Sequence, residues 1–180
     1  MKAAKTKHNS KTVTKTFRLP SALVDTMSSD AEKNNKTLTG MIVDVLTHYA
    51  RFDRFAEKFG FVTMSRGLLK ELVDSLPEER IREIAESQSE VIAEMVEFWH
   101  ENRDMESLLD IVDIYSRYMR RFEYTAARDG HETVVTLRSD LGRKFSVFMG
   151  AFWAKGINRV LGVDPKVEVT KNQVTLRIPA

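Results

Sequence analysis

The chain contains no cysteine, only four prolines and no long apolar run. The absence of cysteine excludes a disulfide framework, a thiolate metal or iron–sulfur centre and a cysteine nucleophile. No stretch approaches the roughly 20 apolar residues that a membrane helix needs. The basic start, residues 1–15, leads into no apolar segment of the kind that secretory signals contain, so we expect a cytoplasmic protein.

Signature motifs of enzymes are also missing from the sequence. There is no G-x-S-x-G, no phosphate-binding loop and no dinucleotide-binding glycine pattern, and the eight glycines are scattered singly. The four histidines share no H-E-x-x-H or H-x-x-E-H spacing. We therefore expect no enzyme activity, no metal site and no cofactor, and an enzyme in the C-terminal part is the least favoured alternative.

Charge is unevenly distributed along the 180 residues, although the net charge is only +2. Residues 1–20 hold six Lys or Arg and no acidic residue, whereas residues 66–110 carry a net charge of −8. A basic end on a near-neutral chain indicates contact with a polyanion, or else a solvated tail. Residues 1–10 have no apolar period, so they are expected to form a disordered basic arm.

The N-terminal part is predicted to form a short strand followed by two helices. Over residues 12–19 apolar and polar positions alternate, and one side of the strand consists of Val13, Lys15, Phe17 and Leu19. Apolar residues then recur at helical spacing in two stretches separated by Asn34 and Asn35, which tolerate the left-handed conformation that closes a helix. The Thr37 hydroxyl can cap the second helix.

A single strand leaves the N–H and C=O groups along its edges without hydrogen-bond partners, so it needs a second strand. No second strand is predicted nearby in the sequence, so the simplest partner is the same strand of another chain. The pattern therefore predicts a homodimer, or a higher homo-oligomer, joined by an intermolecular two-stranded ribbon.

The segment KTVTKTFRLPSALVDTMSSDAEKNNKTLTGMIVDVLTHY, residues 11–49, resembles a ribbon-helix-helix DNA-binding domain of the MetJ/Arc type. The alternating strand, the proline after it, the helix lengths and the N-K-T-x-T turn agree with that pattern. There are two departures: Lys15 occupies an inward position that is usually apolar, and Asn35 stands where the turn often has glycine. The resemblance implies an intertwined dimer that binds double-stranded DNA.

The outward side of the strand matches the base-reading positions of that family, residue by residue, at Thr14, Thr16 and Arg18. A two-stranded ribbon fits the major groove of DNA. There Arg18 can fork onto guanine O6 and N7, and a threonine can donate, accept or contact a thymine methyl group. The alternative is that a threonine-rich strand face reflects β-propensity alone.

The start of the second helix is the candidate phosphate site. Thr37, Leu38 and Thr39 begin this helix, whose unpaired amides and positive dipole end suit a phosphate. In the family this helix start contacts the DNA backbone, and Lys36 and Lys11 are expected to add attraction that weakens as salt rises. The alternative is an ordinary helix cap.

The rest of the chain is predicted to form a helical middle, residues 60–121, in which Pro77 separates two helices, and then a β-β-α-β-β region. The two hairpins are expected about Asp129–Gly130 and Lys171–Asn172, with a long helix over residues 141–161 between them. An apolar stripe over residues 81–98 indicates a buried helix, or alternatively a second dimer contact.

The predicted long helix carries an aromatic stripe made of Phe145, Phe148, Phe152 and Trp153. Such a stripe most often packs as core, and the less favoured alternative is that it lines a ligand pocket. The segment DLGRKFS, residues 140–146, is similar to one in the C-terminal regions of some archaeal regulators, and this similarity assigns no role to any residue.

Together these patterns predict an α+β protein in four parts. They are a basic arm (1–10), a ribbon-helix-helix domain (11–59), a helical connector (60–121) and an α/β domain for oligomerisation or sensing (122–180). The expected function is a dimeric, sequence-specific DNA-binding protein and transcription regulator, with an effector or protein partner still to be identified. The alternatives are an antitoxin-like protein-interaction module and an architectural DNA-binding protein.

Overall fold

The computed structural model of the chain describes residues 12–120 and 122–179. The chain divides into an N-terminal unit that ends at Thr47 and a C-terminal unit that begins at His48. The predicted basic arm, residues 1–10, and Lys11 lie outside the described residues. Across the described ranges, no helix has both the length and the apolar character that crossing a membrane requires.

The described N-terminal unit contains α1 (Ser21–Lys33) and all of α2 (Leu38–His48) except its last residue. The turn between them depends on Asn35, whose φ of 53° lies in the left-handed region that asparagine tolerates better than most residues. This conformation lets the Lys36 amide donate to the Ala31 carbonyl at 2.9 Å. The predicted left-handed end of the first helix is thereby confirmed.

The predicted ribbon strand is not found in the described N-terminal residues. Residues 12–19 precede α1 without helix or strand, and every one of them is exposed. A strand is defined by its hydrogen bonds to a neighbouring strand. Within the described part of this single chain, residues 12–19 form no such ladder. The strand therefore stays a prediction about an assembly of two chains.

The C-terminal unit begins with helices. A π-helical turn (Tyr49–Asp53) continues directly from α2 and leads into the short α3 (Arg54–Ala56). The longer helices that follow are α4 (Arg66–Asp74), α5 (Glu78–Gln88), α6 (Glu90–Trp99) and α7 (Met105–Met119). Pro77 separates α4 from α5, because its ring blocks the continuation of a helix. The predicted helical middle with a break at Pro77 is confirmed.

An antiparallel sheet completes the described C-terminal unit. Its strands and the helix between them are β1 (Glu123–Asp129), β2 (Glu132–Arg138), α8 (Arg143–Leu161), β3 (Lys166–Val169) and β4 (Gln173–Pro179). The strand order is β1-β2-β4-β3. Gly130, with φ of 61°, makes the tight turn between β1 and β2. The β-β-α-β-β order and both hairpins are confirmed, and the chain is of the α+β class.

One face of this sheet packs on α8 and shares a hydrophobic core with α5, α6 and α7. The alternation along β2 buries Val135 and Leu137, whereas Thr136 between them lies on the half-exposed outer face. Where α6 meets α8, Gly156 leaves room for Ile92, since a Cβ atom there would overlap the Ile92 side chain. The helices predicted as a connector and the predicted α/β domain therefore form one core.

Trp153 lies at the centre of this core and is 1% exposed. Its ring makes edge-to-face contacts with Tyr115 of α7 and with Phe122, with centroid distances of 5.2 and 6.1 Å. Phe152 of the aromatic stripe is buried and contacts the Trp153 ring, Phe145 is also buried, and Phe148 is half-buried. The prediction that the stripe packs as core is confirmed.

Candidate nucleic-acid interface

The residues predicted to read bases, Thr14, Thr16 and Arg18, are all accessible in the segment that precedes α1. The end of this segment is fixed by hydrogen bonds at the start of α1. Pro20 occupies the N-cap position with φ of −57°, and its carbonyl accepts hydrogen bonds from the amides of Leu23 and Val24 at 3.1 and 3.2 Å. Arg18 therefore lies two residues before the N-cap residue of α1.

The apolar side of the same segment is also exposed. Val13, Phe17 and Leu19 expose 67%, 68% and 45% of their surface. Several apolar residues of the helices that follow are exposed as well, namely Leu23, Val43, Val45 and Leu46. Among residues 12–47 only Ala31 is buried. The described N-terminal unit therefore has almost no core of its own, which is typical of a surface that binds a partner.

The start of α2 has the predicted cap. The Thr37 hydroxyl oxygen accepts a hydrogen bond from the Gly40 amide at 3.0 Å, and the Thr37 carbonyl accepts one from the Met41 amide at 3.0 Å. Amides in the first turn of a helix have no carbonyl partner within that helix. Since the cap serves Gly40, the amides of Leu38 and Thr39 are the ones that an anion can approach. Leu38 is half-buried and Thr39 is exposed.

The Lys36 side chain forms an ion pair with Asp44 of α2. Its Nζ lies 2.6 Å from Oδ2 of Asp44, and both side chains are at least half exposed. An ion pair this exposed is worth little free energy, so a phosphate can compete for the ammonium group. The structure therefore brings Lys36, Thr37, Leu38 and Thr39 together at one helix start, while Lys11 lies outside the described residues.

A polar cluster that sequence patterns did not indicate holds the π-helical turn against α7. The Arg51 guanidinium donates to both carboxylate oxygens of Asp110, at 2.6 and 2.7 Å. The same carboxylate lies 3.1 Å from Nε2 of His100. No spacing rule could have revealed these contacts, because Arg51 and Asp110 are 59 positions apart. The cluster fixes the segment that follows α2.

A second polar contact on α7 gives a testable pH effect. Burial, followed by the charge and hydrogen bond of Asp113, raises the pKa of Tyr124 from 10.0 to about 12. Between these two pH values the Tyr124 hydroxyl therefore keeps its proton in the folded protein and loses it in the unfolded chain. The resulting stabilisation is fully present below the unfolded pKa of 10.0 and is lost as pH rises toward about 12.

We expect ultraviolet titration of Asp113→Asn to show the Tyr124 transition at lower pH than in the unchanged protein, because the nearby negative charge is gone. The Tyr124→Phe variant serves as the control that identifies which transition belongs to this residue. An unchanged transition in Asp113→Asn would contradict the assigned role of the carboxylate.

Comparisons of the chain with protein-family models, with curated proteins and with solved structures find no match.

Proposed function

We propose that this protein is a dimeric, sequence-specific DNA-binding protein of the ribbon-helix-helix type and acts as a transcription regulator. One observation carries the proposal. The N-terminal unit exposes alternating apolar residues, Val13, Phe17 and Leu19, directly before a helix pair in which only Ala31 is buried. Such a unit gains a core when a second copy covers it.

Antiparallel pairing of residues 12–19 from two copies would complete both the backbone and the core. Each strand would supply the hydrogen bonds that the other lacks. Because side chains alternate across a strand, Val13, Phe17 and Leu19 would then face the helices of both chains. Lys15 on that side would lay its alkyl stem along the edge of the core and keep its ammonium group in water.

The opposite side of the paired strands would enter the major groove. Thr14, Thr16 and Arg18 would face base edges, which present a distinct donor and acceptor pattern for each base pair. The Leu38 and Thr39 amides at the start of α2 would bind a backbone phosphate and orient the ribbon. Lys36 would exchange its exposed contact with Asp44 for the same phosphate.

Selection from a pool of random DNA duplexes at near-physiological salt tests this function. A palindromic or directly repeated short motif among the retained duplexes is the expected result, and its half-site spacing would report how the dimers are arranged. Retention without any motif would favour an architectural role instead. If no duplex is retained, the proposed function is wrong, and a protein partner such as that of an antitoxin becomes the better candidate.

The Arg18→Ala variant tests direct base reading. We expect it to weaken binding to the selected motif by about 1–3 kcal/mol for each half-site and to relax the preference at one base position. The matched control is Arg80→Ala, which removes an exposed arginine that pairs across one turn of α5 with Glu83. Equal losses on the motif and on random duplexes would show that Arg18 contacts phosphate and does not read a base.

A further inference from the structure

The C-terminal unit contains an apolar cavity of about 230 Å³ that DNA binding does not use. The walls come from several elements that are distant in sequence. Phe59 and Phe61 precede α4, Tyr115 belongs to α7, and the aromatic stripe of α8 contributes Phe148 and Phe152. All of the lining residues belong to the C-terminal unit.

The lining of the cavity restricts the chemistry of an occupant. None of the lining residues carries a charge, and most are aromatic or methionine. Gln88, at the end of α5, is exposed and supplies an amide at the opening. A charged molecule would lose its hydration without gaining an ionic partner, so these walls favour an uncharged one. The Gln88 amide can donate a hydrogen bond to the occupant or accept one from it.

Ring geometry and volume define the shape of the occupant. The rings of Phe148 and Phe152 are nearly parallel, with an interplanar angle of 15° and centroids 5.7 Å apart, so a flat ring can pack parallel to both. A dry apolar cavity of roughly 150 Å³ is enough to bind benzene. The larger volume here suits a molecule of one or two fused rings, and the flexible side chains of Met119 and Met149 can adapt to its outline.

The cavity opens to solvent beside its exposed lining residues Gly60 and Gln88, whereas Tyr115, Phe152 and Trp153 in its walls are buried. An apolar ring that enters it would be removed from water and would gain dispersion contacts with these side chains.

We propose that this cavity binds a small, flat, uncharged aromatic molecule whose polar group hydrogen-bonds to the amide of Gln88. The site makes the C-terminal unit a small-molecule-binding module. The proposed ligand site does not depend on the proposed DNA binding, because every residue that lines the cavity belongs to the C-terminal unit.

Calorimetric titration of the full chain with 2-naphthol tests the proposal, and 2-naphthoate serves as the matched probe with the same rings and a negative charge. The expected result is saturable binding of 2-naphthol and binding of 2-naphthoate that is at least about tenfold weaker. Absence of 2-naphthol binding up to about 1 mM would overturn the proposal, and so would equal binding of the two probes.

Two variants locate the site. Val91→Phe introduces a ring at a half-buried lining position, and Val62→Phe makes the same change at a residue that is 68% exposed and does not line the cavity. We expect 2-naphthol to bind at least about tenfold more weakly to Val91→Phe and with unchanged affinity to Val62→Phe. Equal affinities in these two variants would place the probe elsewhere and overturn the proposal.

The Gln88→Leu variant provides an independent test, because an exposed residue tolerates the change if Val91→Phe fails to fold. It should bind 2-naphthol about two- to tenfold more weakly while binding naphthalene, which has no polar group, as tightly as the unchanged chain. If 2-naphthol and naphthalene lose affinity to the same extent, or neither loses any, the assigned hydrogen bond to Gln88 is wrong.

Discussion

Phe17→Asp is expected to dissociate the proposed dimer and to abolish DNA binding. In the single chain Phe17 exposes 68% of its surface, and in the proposed ribbon it would be covered by the helices of both copies. A carboxylate at this position would lose its hydration without gaining a partner, and the symmetric assembly would carry the change twice. We expect the dimer dissociation constant to rise by at least about 100-fold, or roughly 3 kcal/mol.

Sedimentation velocity over a range of concentrations measures this change, and binding to the selected DNA motif is measured on the same samples. Val62→Asp is the matched control, because Val62 is also an apolar residue with 68% of its surface exposed and belongs to the C-terminal unit. The control should remain dimeric and bind DNA. A Phe17→Asp protein that is still a dimer would show that residues 12–19 do not form the interface.

Trp153→Ala is expected to lower the free energy of unfolding of the C-terminal unit by about 3–5 kcal/mol. The side chain is 1% exposed, and its ring contacts Tyr115, Phe122 and Phe152 edge-on. Removing the indole therefore costs the transfer free energy of a large apolar group and leaves a void where three aromatic contacts were made. This loss is a large fraction of the total stability of a typical domain.

Urea unfolding followed by circular dichroism measures the loss, with a check that the transition is still two-state. Trp99→Ala is the matched control, because it removes the same side chain from a half-buried position at the end of α6. We expect the control to lose clearly less stability. If Trp99→Ala proves as costly as Trp153→Ala, the centre of the core lies nearer to α6 than the burial indicates.

Features that depend on neighbouring residues were predictable from the sequence. The left-handed turn at Asn35, the Thr37 cap and the hairpin at Gly130 follow from the conformational preferences or hydrogen bonds of single residues within a few positions. Periodicity likewise predicted the helical middle, the long α8 and the buried aromatic stripe. A strand at residues 12–19 does not follow from neighbouring residues in this way, because the hydrogen bonds that would define it would come from a second copy of the chain.

Contacts across long sequence separations were decided by the tertiary structure. The Arg51–Asp110 ion pair joins residues 59 positions apart, and the cavity joins Phe59 and Phe61 to the stripe of α8. Periodicity assigns a residue to the apolar side of its own helix, but it does not specify which other element that side meets or whether the two surfaces fill the space between them. The sequence by itself therefore determined the α+β class and the candidate DNA-binding residues, whereas only the packing of distant elements decided that the aromatic core contains a cavity.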